Sequence, residues 1–487
     1  MTIRPGDAAT TAAARCRVPL LALAVALAAV ACSREPAPWH PRDIVVISID
    51  TLRADHLPTY GYARPTAPRI DELAQHSMVF DRAYSEAPHT LPAHTSLFTG
   101  LYPGRHGVLD RGDTLAPGVV TLAELLAAQG YHTGAFTNCY FLMPEFRIDR
   151  GFAHHDFTHD IENPRDAQAT NTAIFQWLDS LSPGPLFLFA HYFDVHSDWD
   201  RLAYDAPEEF RRRFAGDPPA GFRTGDGQVS ATRFLARQNR DGPDLRPEEL
   251  AYLRGLYDAG IAWTDSQVGA LLDGLAARGR LQDAIVILTA DHGEAFLEHG
   301  KLLHSQVYDE ELRIPLLVSL PEMRGGSGPA CRTRGGAALA PRAGRSDALV
   351  QHVDVLPTIA ECLGVAAPAD VQGQSFLSVL GGDTGPREAA YLDTPHGSEA
   401  GIRRDGWKLI EFPASGRRRL YQIDRDPGEQ QDVAAQEPAR VTALAAELAE
   451  HRRQNEAGRV AGERVEVPDS VHKALEALGY LREDPKR

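Results

Sequence analysis

Three short stretches of the chain carry residues whose types could do chemistry. Asp50 ends the apolar run DIVVISID, Thr90 lies within HTLPAHTSLFTG, and Asp291 and His292 follow the apolar run AIVILTA. Carboxylates and imidazoles bind cations and move protons, and a threonine hydroxyl is a weak nucleophile that needs activation. Each residue also has an ordinary structural alternative, because a strand-end aspartate often caps a helix and Thr90 suits the N-cap of a following helix.

These residues must be positioned by the elements that precede them. The runs before Asp50 and Asp291 are apolar and β-branched, which predicts two buried parallel strands. Segments with helical spacing, such as PRIDELAQHS and VVTLAELLAAQG, alternate with further apolar runs, and this alternation predicts a doubly wound, mostly parallel α/β sheet. Since such sheets bind ligands at the carboxyl ends of their strands, we expect the four residues to converge there, within about 10 Å.

Composition narrows the class of protein. The chain has 487 residues, of which 43% are apolar and 24% charged, and its formal net charge is −16. This length suits one large α/β domain with a smaller one. The negative charge argues against nucleic-acid binding, since the arginine triplets at 211–213 and 417–419 are short and isolated.

The first 32 residues have the pattern of an export signal. Arg15 and Arg17 precede an apolar stretch from Val18 to Ala31 that is too short to span a bilayer. Cys32 follows Ala-Val-Ala, which resembles a bacterial lipoprotein cleavage site. We therefore expect an exported protein of the periplasm or cell envelope, with two outcomes open: a lipid anchor at Cys32, or plain cleavage nearby.

The remaining cysteines do not predict a disulfide framework. Cys139, Cys331 and Cys362 are an odd number without a close-spaced pair, so they indicate neither a thiolate metal site nor a disulfide scaffold. One disulfide among them is compatible with export, but the sequence does not pair it.

The domain plan has four parts. Residues 1–32 are the signal, 33–42 a linker, 43–385 the catalytic domain, and 386–487 a small α+β subdomain of antiparallel strands with one or two helices. Within the catalytic domain, a long helical stretch should break or kink near Gly260. Residues 200–247 and 323–346 are expected to be irregular insertions, because they are rich in charge, Gly and Pro without a clear period.

The chain resembles the sulfatase family of the alkaline phosphatase superfamily over nearly its whole mature length. The resemblance rests on ordered motifs: ISIDTLRADHLPTYGY, TLPAHTSLFTGLYPGRHGV, ILTADHGEAFLEHG, RIPLLV, VDVLPTIAECLG, LYQIDRDPGEQQDV and ALGYL. It implies the α/β fold of that family. It is less specific for the reaction, because function depends on the residues of the site.

The resemblance implies a divalent metal site. It places Asp50, Asp291 and His292 on the ion, together with the hydroxyl of Thr90. Thr51 stands where many sulfatases have a second aspartate ligand. Two carboxylates, an imidazole and a hydroxyl suit Ca²⁺, Mn²⁺ or Zn²⁺ better than Mg²⁺.

The resemblance also assigns the residues around the transferred group. Thr90 stands where working sulfatases have a Cys or Ser that is converted to formylglycine, so no formylglycine is expected here. His94 replaces a supporting Arg, and His304 replaces a Lys that holds a sulfate oxygen. The segment TNCYF replaces the family's Gly-Lys-Trp-His loop, and its Asn138 is a candidate donor to an anion oxygen.

Two interpretations of FDVHSD stay open. Asp194 and His196, with His304, would make a second metal site as in two-zinc relatives; the favoured alternative is that His196 contacts the anion or leaving group directly. His191 and His299 are expected to be structural.

The resulting hypothesis is a metal-dependent hydrolase of sulfate esters, or of related phosphate or phosphonate esters. In this hypothesis Thr90 is both the nucleophile and the cap of its helix. A small molecule or a glycan ester would be its substrate, and the oligomeric state is open. The alternatives are a catalytically dead binding protein, or a phosphoryl-group transferase of the same superfamily.

Overall fold

The computed structural model describes residues 42–465, apart from residues 111, 159–164, 198–202, 224–230, 327–330, 334–335, 337, 396 and 461. The signal at 1–32, nearly all of the linker and a helix expected at SVHKALEAL lie outside the described residues. The domain boundary at 385/386 stays a prediction. Among the described residues, helices that are both long and apolar enough to cross a membrane are absent.

Fourteen strands are described. In chain order they are β1 Ile44–Ile49, β2 Met78–Tyr84, β3 His132–Thr137, β4 His154–Phe157, β5 Leu186–Tyr192, β6 Ile285–Thr289, β7 Ala295–Phe296, β8 Leu302–Leu303, β9 Leu316–Ser319, β10 Gly344–Gln351, β11 Ala389–Asp393, β12 Ala400–Arg404, β13 Trp407–Phe412 and β14 Arg417–Gln422.

Eight of these strands form the main sheet, in the order β10-β2-β9-β6-β1-β5-β3-β4. Strand β9 runs antiparallel to both of its neighbours, while the other described pairs are parallel. The expected mostly parallel α/β sheet is therefore confirmed. Strand β1 lies in the middle, and all six of its residues are buried, as its unbroken apolar run predicts.

Helices cover this sheet. They are α1 Pro68–Ala74, α2 Thr90–Thr99, α3 Pro103–His106, α4 Leu122–Ala128, α5 Ala167–Ser180, α6 Glu208–Phe214, α7 Ala231–Asp241, α8 Pro247–Ala277, α9 Asp309–Leu312, α10 Val355–Leu363 and α11 Pro438–Ala457. Short 3₁₀ turns occupy Ala54–His56, Pro58–Tyr60, Tyr140–Leu142, Pro144–Phe146, Pro321–Arg324, His352–Asp354 and Leu377–Gly381.

The expected break near Gly260 is wrong, because α8 continues through it for 31 residues. A Cβ placed on Gly260 would lie 3.1 Å from the backbone oxygen of Asp194. The glycine therefore serves close packing of α8 against the segment after β5 rather than a bend.

The insertions are more regular than expected. Residues 200–247 contain α6 and α7, and β10 begins at Gly344 inside the second insertion. Helices of two or three turns between Gly- and Pro-rich stretches are easily missed in a sequence, because each covers few repeats of the helical period. Cys331, from the second insertion, forms a disulfide with Cys362, a pairing that the sequence left open, and Cys139 is buried.

The C-terminal part is confirmed as α+β. Strands β11 to β14 form an antiparallel sheet in sequence order, and α11 packs on one side of it. Its other side shares a buried apolar cluster with the main domain, in which Ile410 and Tyr421 lie with Tyr84 and Leu349.

A buried ion-pair network joins the two sheets at this contact. Lys408 on β13 is fully buried, and its ammonium lies 2.8 Å from Asp309 Oδ1 and 2.9 Å from Glu429 Oε1. Arg403 pairs with the other oxygen of Asp309 at 2.6 Å. Because these charges are out of water, each depends on its partners for compensation.

We expect Lys408→Met to lower the free energy of unfolding by about 3–5 kcal/mol, since it leaves buried carboxylates uncompensated. Chemical denaturation measures this change. The matched control is Arg418→Met, which breaks the half-exposed Arg418–Glu411 pair of the same sheet and should cost about 1 kcal/mol or less. Equal losses in the two variants would contradict the assignment of Lys408 as a junction residue.

Candidate active site

The site lies at the carboxyl ends of β1 and β6. These strands are parallel neighbours with Ser48 opposite Thr289, so the residues that follow them emerge side by side. Asp50, Asp291 and His292 each offer a ligand atom, and these atoms all lie within 4.8 Å of one another. All three side chains are buried, at 0–1% exposure. The structure thus brings together residues about 240 positions apart, within the expected distance.

One oxygen of Asp291 is held by the backbone. The N–H groups of Thr51 and His292 donate to Oδ1 at 3.1 and 2.9 Å. Among the described residues, Oδ2 of Asp291 and Nε2 of His292 have no hydrogen-bond partner. Burial by itself raises the pKa of Asp291, but the nearby imidazoles and the Thr51 N–H outweigh it and hold that pKa below its usual range. Asp291 is therefore an ionised carboxylate with one oxygen left for a ligand.

Thr51 makes the turn that exposes these groups. Its φ is +56°, which is unusual for a β-branched residue, and its carbonyl accepts a hydrogen bond from the Tyr257 hydroxyl at 2.6 Å. Strained residues of this kind persist where the surrounding structure holds them, as Tyr257 and Asp291 do here.

Thr90 is the first residue of α2, and its hydroxyl lies 3.5 Å from Oδ2 of Asp50. The N-cap is His89, and its side chain makes no capping hydrogen bond. The expectation that Thr90 caps the helix is therefore wrong by one residue. Its hydroxyl points to the carboxylate cluster instead, at a helix N-terminus where free backbone N–H groups favour anions.

His94, one turn further along α2, fixes this arrangement. Its Nδ1 donates to the carbonyl of Thr90 at 2.9 Å, and its Nε2 accepts from the Ser48 hydroxyl at 2.9 Å. Burial lowers the pKa of His94 to about 3, against the pull of Asp291, so the ring is neutral. Because both nitrogens are used, His94 positions the backbone of Thr90 rather than contacting a ligand.

His191 also belongs to the site, although we expected it to be structural. It lies on β5 opposite Ser48, and its Nε2 is 3.3 Å from Oδ2 of Asp50. Burial lowers the pKa of His191 to about 4. The available signal was a histidine within the otherwise apolar strand PLFLFAHYF, next to the strand that ends at Asp50.

Two further histidines, His304 and His196, lie beside the cluster. The His304 ring centroid is 4.3 Å from that of His292 and 5.3 Å from that of His196. Nδ1 of His304 lies 3.2 Å from Oε2 of Glu294, a buried residue that the motif analysis did not single out. Burial lowers the pKa of His304 to about 4 and raises that of Glu294 to about 8. The pair is therefore neutral overall near pH 7.

Two family models match the chain. Residues 42–365 match the family model Sulfatase, and residues 337–456 match the model N-sulphoglucosamine sulphohydrolase, C-terminal. The chain belongs to the sulfatase family. It is thus a hydrolase of that family, whose members typically hold a divalent metal ion.

Individual sulfatase relatives are distant. Arylsulfatase K of Gallus gallus is 22% identical, with 87% of this chain and 84% of the relative covered. Choline-sulfatase of Rhizobium meliloti is 23% identical, with 80% and 82% covered. Among solved structures, the phosphonate monoester hydrolase of Agrobacterium radiobacter superposes with a TM-score of 0.66 at 20% identity, with 85% of this chain and 96% of that chain covered.

A further solved structure, in complex with its substrate D-glucosamine-2-N,6-O-disulfate, has a TM-score of 0.67 at 19% identity, with 86% and 98% covered. At these identities, the two solved structures establish the fold of this sulfatase and do not identify its substrate.

The residues of this sulfatase fit a divalent cation. Asp50, Asp291 and His292 combine two carboxylates with an imidazole, and the atoms of Asp291 and His292 that face the cluster have no other partner among the described residues. A second grouping of His94, His191 and Asp291 is also compact. It is the poorer candidate, because both nitrogens of His94 already have partners.

Among the residues that the structure describes, Asp194, His196 and His304 do not form a compact group of ligand atoms. Oδ1 of Asp194 accepts hydrogen bonds from the N–H of Ala167 at 3.0 Å and from the indole of Trp263 at 2.7 Å. Asp194 thus anchors the start of α5, while His196 stacks on Phe193 and faces His304. Burial raises the pKa of Asp194 to about 7.

Asn138 also has a backbone partner. Its amide nitrogen donates to the backbone carbonyl of Arg165 at 2.5 Å. Because that nitrogen carries two N–H groups, donation to an anion oxygen stays a prediction. His299 is structural as expected: it stacks on Tyr308 and lies 2.6 Å from Glu310.

We expect Asp291→Asn to weaken binding of Ca²⁺, Mn²⁺ or Zn²⁺ by roughly 100-fold or more, because it removes one of two buried ligand charges. Titration calorimetry on the metal-stripped protein measures the affinity. Asp194→Asn is the matched control, since it neutralises a buried aspartate outside the cluster and should leave affinity and stoichiometry unchanged. Unaltered binding by Asp291→Asn would rule out this metal site.

Asp194→Asn should also change how stability depends on pH. The folded state holds the Asp194 proton up to a pKa of about 7, whereas the unfolded chain releases it near 3.8. Stability of the wild type therefore falls as pH rises through that window. The Asn variant keeps the accepting Oδ1 without the buried charge, so thermal melts at pH 4.5 and 8 should differ less than in the wild type. A larger difference would contradict the raised pKa.

Proposed function

We propose that this sulfatase-family protein is a metal-dependent hydrolase that cleaves sulfate esters, or related phosphate or phosphonate esters, with Thr90 as nucleophile. The observation that carries the proposal is the place of the Thr90 hydroxyl, buried at the N-terminus of α2 and 3.5 Å from Asp50 in the carboxylate–histidine cluster. A hydroxyl there is next to the groups that would hold an ion and next to helix N–H groups that favour an anion.

The metal ligands in this proposal are Asp50, Asp291 and His292, with the Thr90 hydroxyl as a fourth group. A bound divalent ion would lower the pKa of that hydroxyl and offset the charge of the transferred group. Oδ2 of Asp50 is the nearest acceptor for the Thr90 proton. His94 and Ser48 hold the backbone of Thr90, so the hydroxyl stays at the site without rearrangement.

The reaction we propose has two displacements. The Thr90 oxygen attacks sulfur or phosphorus, the bond to the ester oxygen breaks, and the departing alcohol takes a proton. Water then attacks the Thr90 adduct, which releases sulfate, phosphate or phosphonate and restores the hydroxyl. His304 lies beside His292, and His196 beside His304; these two histidines are the groups we assign to the ester and leaving-group oxygens.

Thr90 shapes the second displacement. An unmodified threonine has one hydroxyl, so its adduct lacks the second hydroxyl through which hydrated formylglycine expels sulfate. Release must therefore come from water attack on sulfur or phosphorus. This requirement keeps phosphorus esters beside sulfate esters as candidate substrates, and both types are named among its relatives and structural neighbours.

Glycan esters are a suitable substrate class. Relatives of this chain include a Delta 4,5-hexuronate-2-O-sulfatase and an N-acetylglucosamine-6-O-sulfatase of Bacteroides thetaiotaomicron. We also propose export to the periplasm or cell envelope, with a lipid anchor at Cys32. The Cys331–Cys362 disulfide supports export, because such bonds persist in oxidising compartments.

We expect hydrolysis from the metal-supplemented protein in a panel of aryl sulfate, phosphate monoester, phosphodiester and phosphonate monoester. Thr90→Val, which keeps the shape and removes the hydroxyl, should lose at least about 1,000-fold in kcat. Thr90→Ser should keep much of the activity. Since Thr90 makes no capping bond, Thr90→Val should also melt near the wild-type temperature.

Thr95→Val is the control for this series. Thr95 is buried in the same helix, and its hydroxyl bonds the carbonyl of Leu91 at 2.7 Å, away from the cluster. The Thr95→Val variant should keep the wild-type kcat. A metal-loaded Thr90→Val variant with wild-type activity would disprove the nucleophile. Mass spectrometry of a trapped Thr90 peptide would identify the transferred group as sulfo or phosphoryl.

A further inference from the structure

The hairpin formed by β7 and β8 carries one residue of the site at each end. Glu294 directly precedes β7, and His304 directly follows β8. Ala295 pairs with Leu303, so Glu294 and His304 come next in register and face each other. The 3.2 Å contact between Glu294 Oε2 and His304 Nδ1 is this next cross-strand pair. The position of His304 therefore depends on how the hairpin is held.

The backbone polar groups on the outer edge of β8 need hydrogen-bond partners. Leu297 donates its N–H to the carbonyl of Lys301 at 2.8 Å, so the neighbouring pair Phe296 and Leu302 is a non-hydrogen-bonded pair. Both backbone polar groups of Leu302 consequently point away from β7. Leu302 is fully buried, so water cannot satisfy them.

Asn239 on α7 satisfies both groups. Its Nδ2 donates to the carbonyl of Leu302 at 2.7 Å, and its Oδ1 accepts from the N–H of Leu302 at 2.7 Å. The side-chain amide thus takes the place of a third strand. Lys301 adds a contact from its ammonium to the carbonyl of Asn239 at 3.3 Å.

Leu303, which lies between Leu302 and His304, has a strained backbone. Leu303 has a φ of +65°, in the left-handed region that a leucine rarely adopts. Such a conformation persists only where its surroundings hold it. Here Asn239 holds the residue before it, and Glu294 holds the side chain after it.

We propose that Asn239 is a positioning residue for His304: through the backbone of Leu302 it holds the β7–β8 hairpin, so the insertion at 200–247 takes part in building the active site. This inference rests on the proposed function for the part that His304 plays. It assigns a task to α7, a helix that the motifs of the family do not include.

The opposite edge of the hairpin, formed by β7, is held by other residues. Arg254 on α8 donates to the carbonyl of Phe296 at 2.9 Å, and Glu298 bonds both Arg254 and Arg53. These contacts fix the first strand and the turn. The second strand, which leads to His304, depends on Asn239, so its loss should loosen the hairpin locally while α8 and the sheet remain in place.

The test uses the whole chain and two variants of Asn239. Asn239→Leu keeps the size and removes both hydrogen bonds, whereas Asn239→Asp keeps the acceptor for the Leu302 N–H and loses the donor. Gln238→Ala is the matched control, since that neighbouring amide bonds the N–H of Asp244, just beyond the C-terminal end of the helix. Each is made alone and together with His304→Ala.

Two results are expected. Hydrogen exchange followed by mass spectrometry should show residues 295–304 exchanging roughly tenfold faster in Asn239→Leu, with a smaller rise in Asn239→Asp and none in Gln238→Ala. On the best substrate of the panel, kcat/KM should fall about 10- to 100-fold in Asn239→Leu, mainly through kcat. In the His304→Ala background the same substitution should change kcat/KM less than twofold, because its effect passes through His304.

The inference is overturned by unchanged exchange in both Asn239 variants, or by an activity loss that persists in full without His304. Failure of the proposed function has a different signature, namely a wild type that hydrolyses none of the panel. In that case the variants are compared for binding of inorganic sulfate by calorimetry. Weaker binding in Asn239→Leu that disappears in the His304→Ala background supports the inference, and equal or absent binding overturns it.

Discussion

The whole site depends on the burial of two carboxylates side by side. Asp50 and Asp291 follow neighbouring parallel strands, are excluded from water, and lie close enough for their oxygens to share a ligand. Buried negative charge of this kind is unfavourable unless it is compensated. The N–H groups of Thr51 and His292 hold one oxygen of Asp291, and the remaining atoms face a common point. A cation at that point completes the arrangement, and a catalyst follows if a nucleophile stands beside it.

Thr90 lies beside this cluster and is the nucleophile in the function we propose. The helix begins one residue earlier than a capping threonine would require, so the hydroxyl is directed to Asp50 and not to its own backbone. His94 and Ser48 then tie the start of the helix to β1 through a neutral ring. His94 thus fixes the position of Thr90 through hydrogen bonds, without bringing a charge.

The far side of the site is built from elements that lie outside the main sheet. The hairpin β7–β8 pairs Glu294 with His304, and α7 and α8 hold its two edges through Asn239 and Arg254. This division separates two tasks. The sheet places the charged groups through its strand register, and in our proposal Asn239 of α7 fixes the imidazole of His304 through the hairpin.

Much of this was present in the sequence. Apolar β-branched runs that end in Asp50 and Asp291 predicted buried parallel strands, and the rule that strand ends share one edge predicted their meeting. These inferences succeeded because they need only local periodicity and a general property of parallel sheets. The resemblance of the motifs gave the family for the same reason, since each motif is short and continuous.

Tertiary structure decided the rest. His191, Glu294 and Asn239 each act on a residue of another segment, and their sequences carry no sign of the partner that the fold supplies. At the start of α2 the local preference favours Thr90 over His89 as the N-cap, but in the structure the helix begins one residue earlier. One oxygen of Asp194 is engaged by Ala167 and Trp263, a pairing that the sequence does not indicate. A side chain's identity can be read from the sequence, whereas the direction in which it points depends on packing against residues far along the chain.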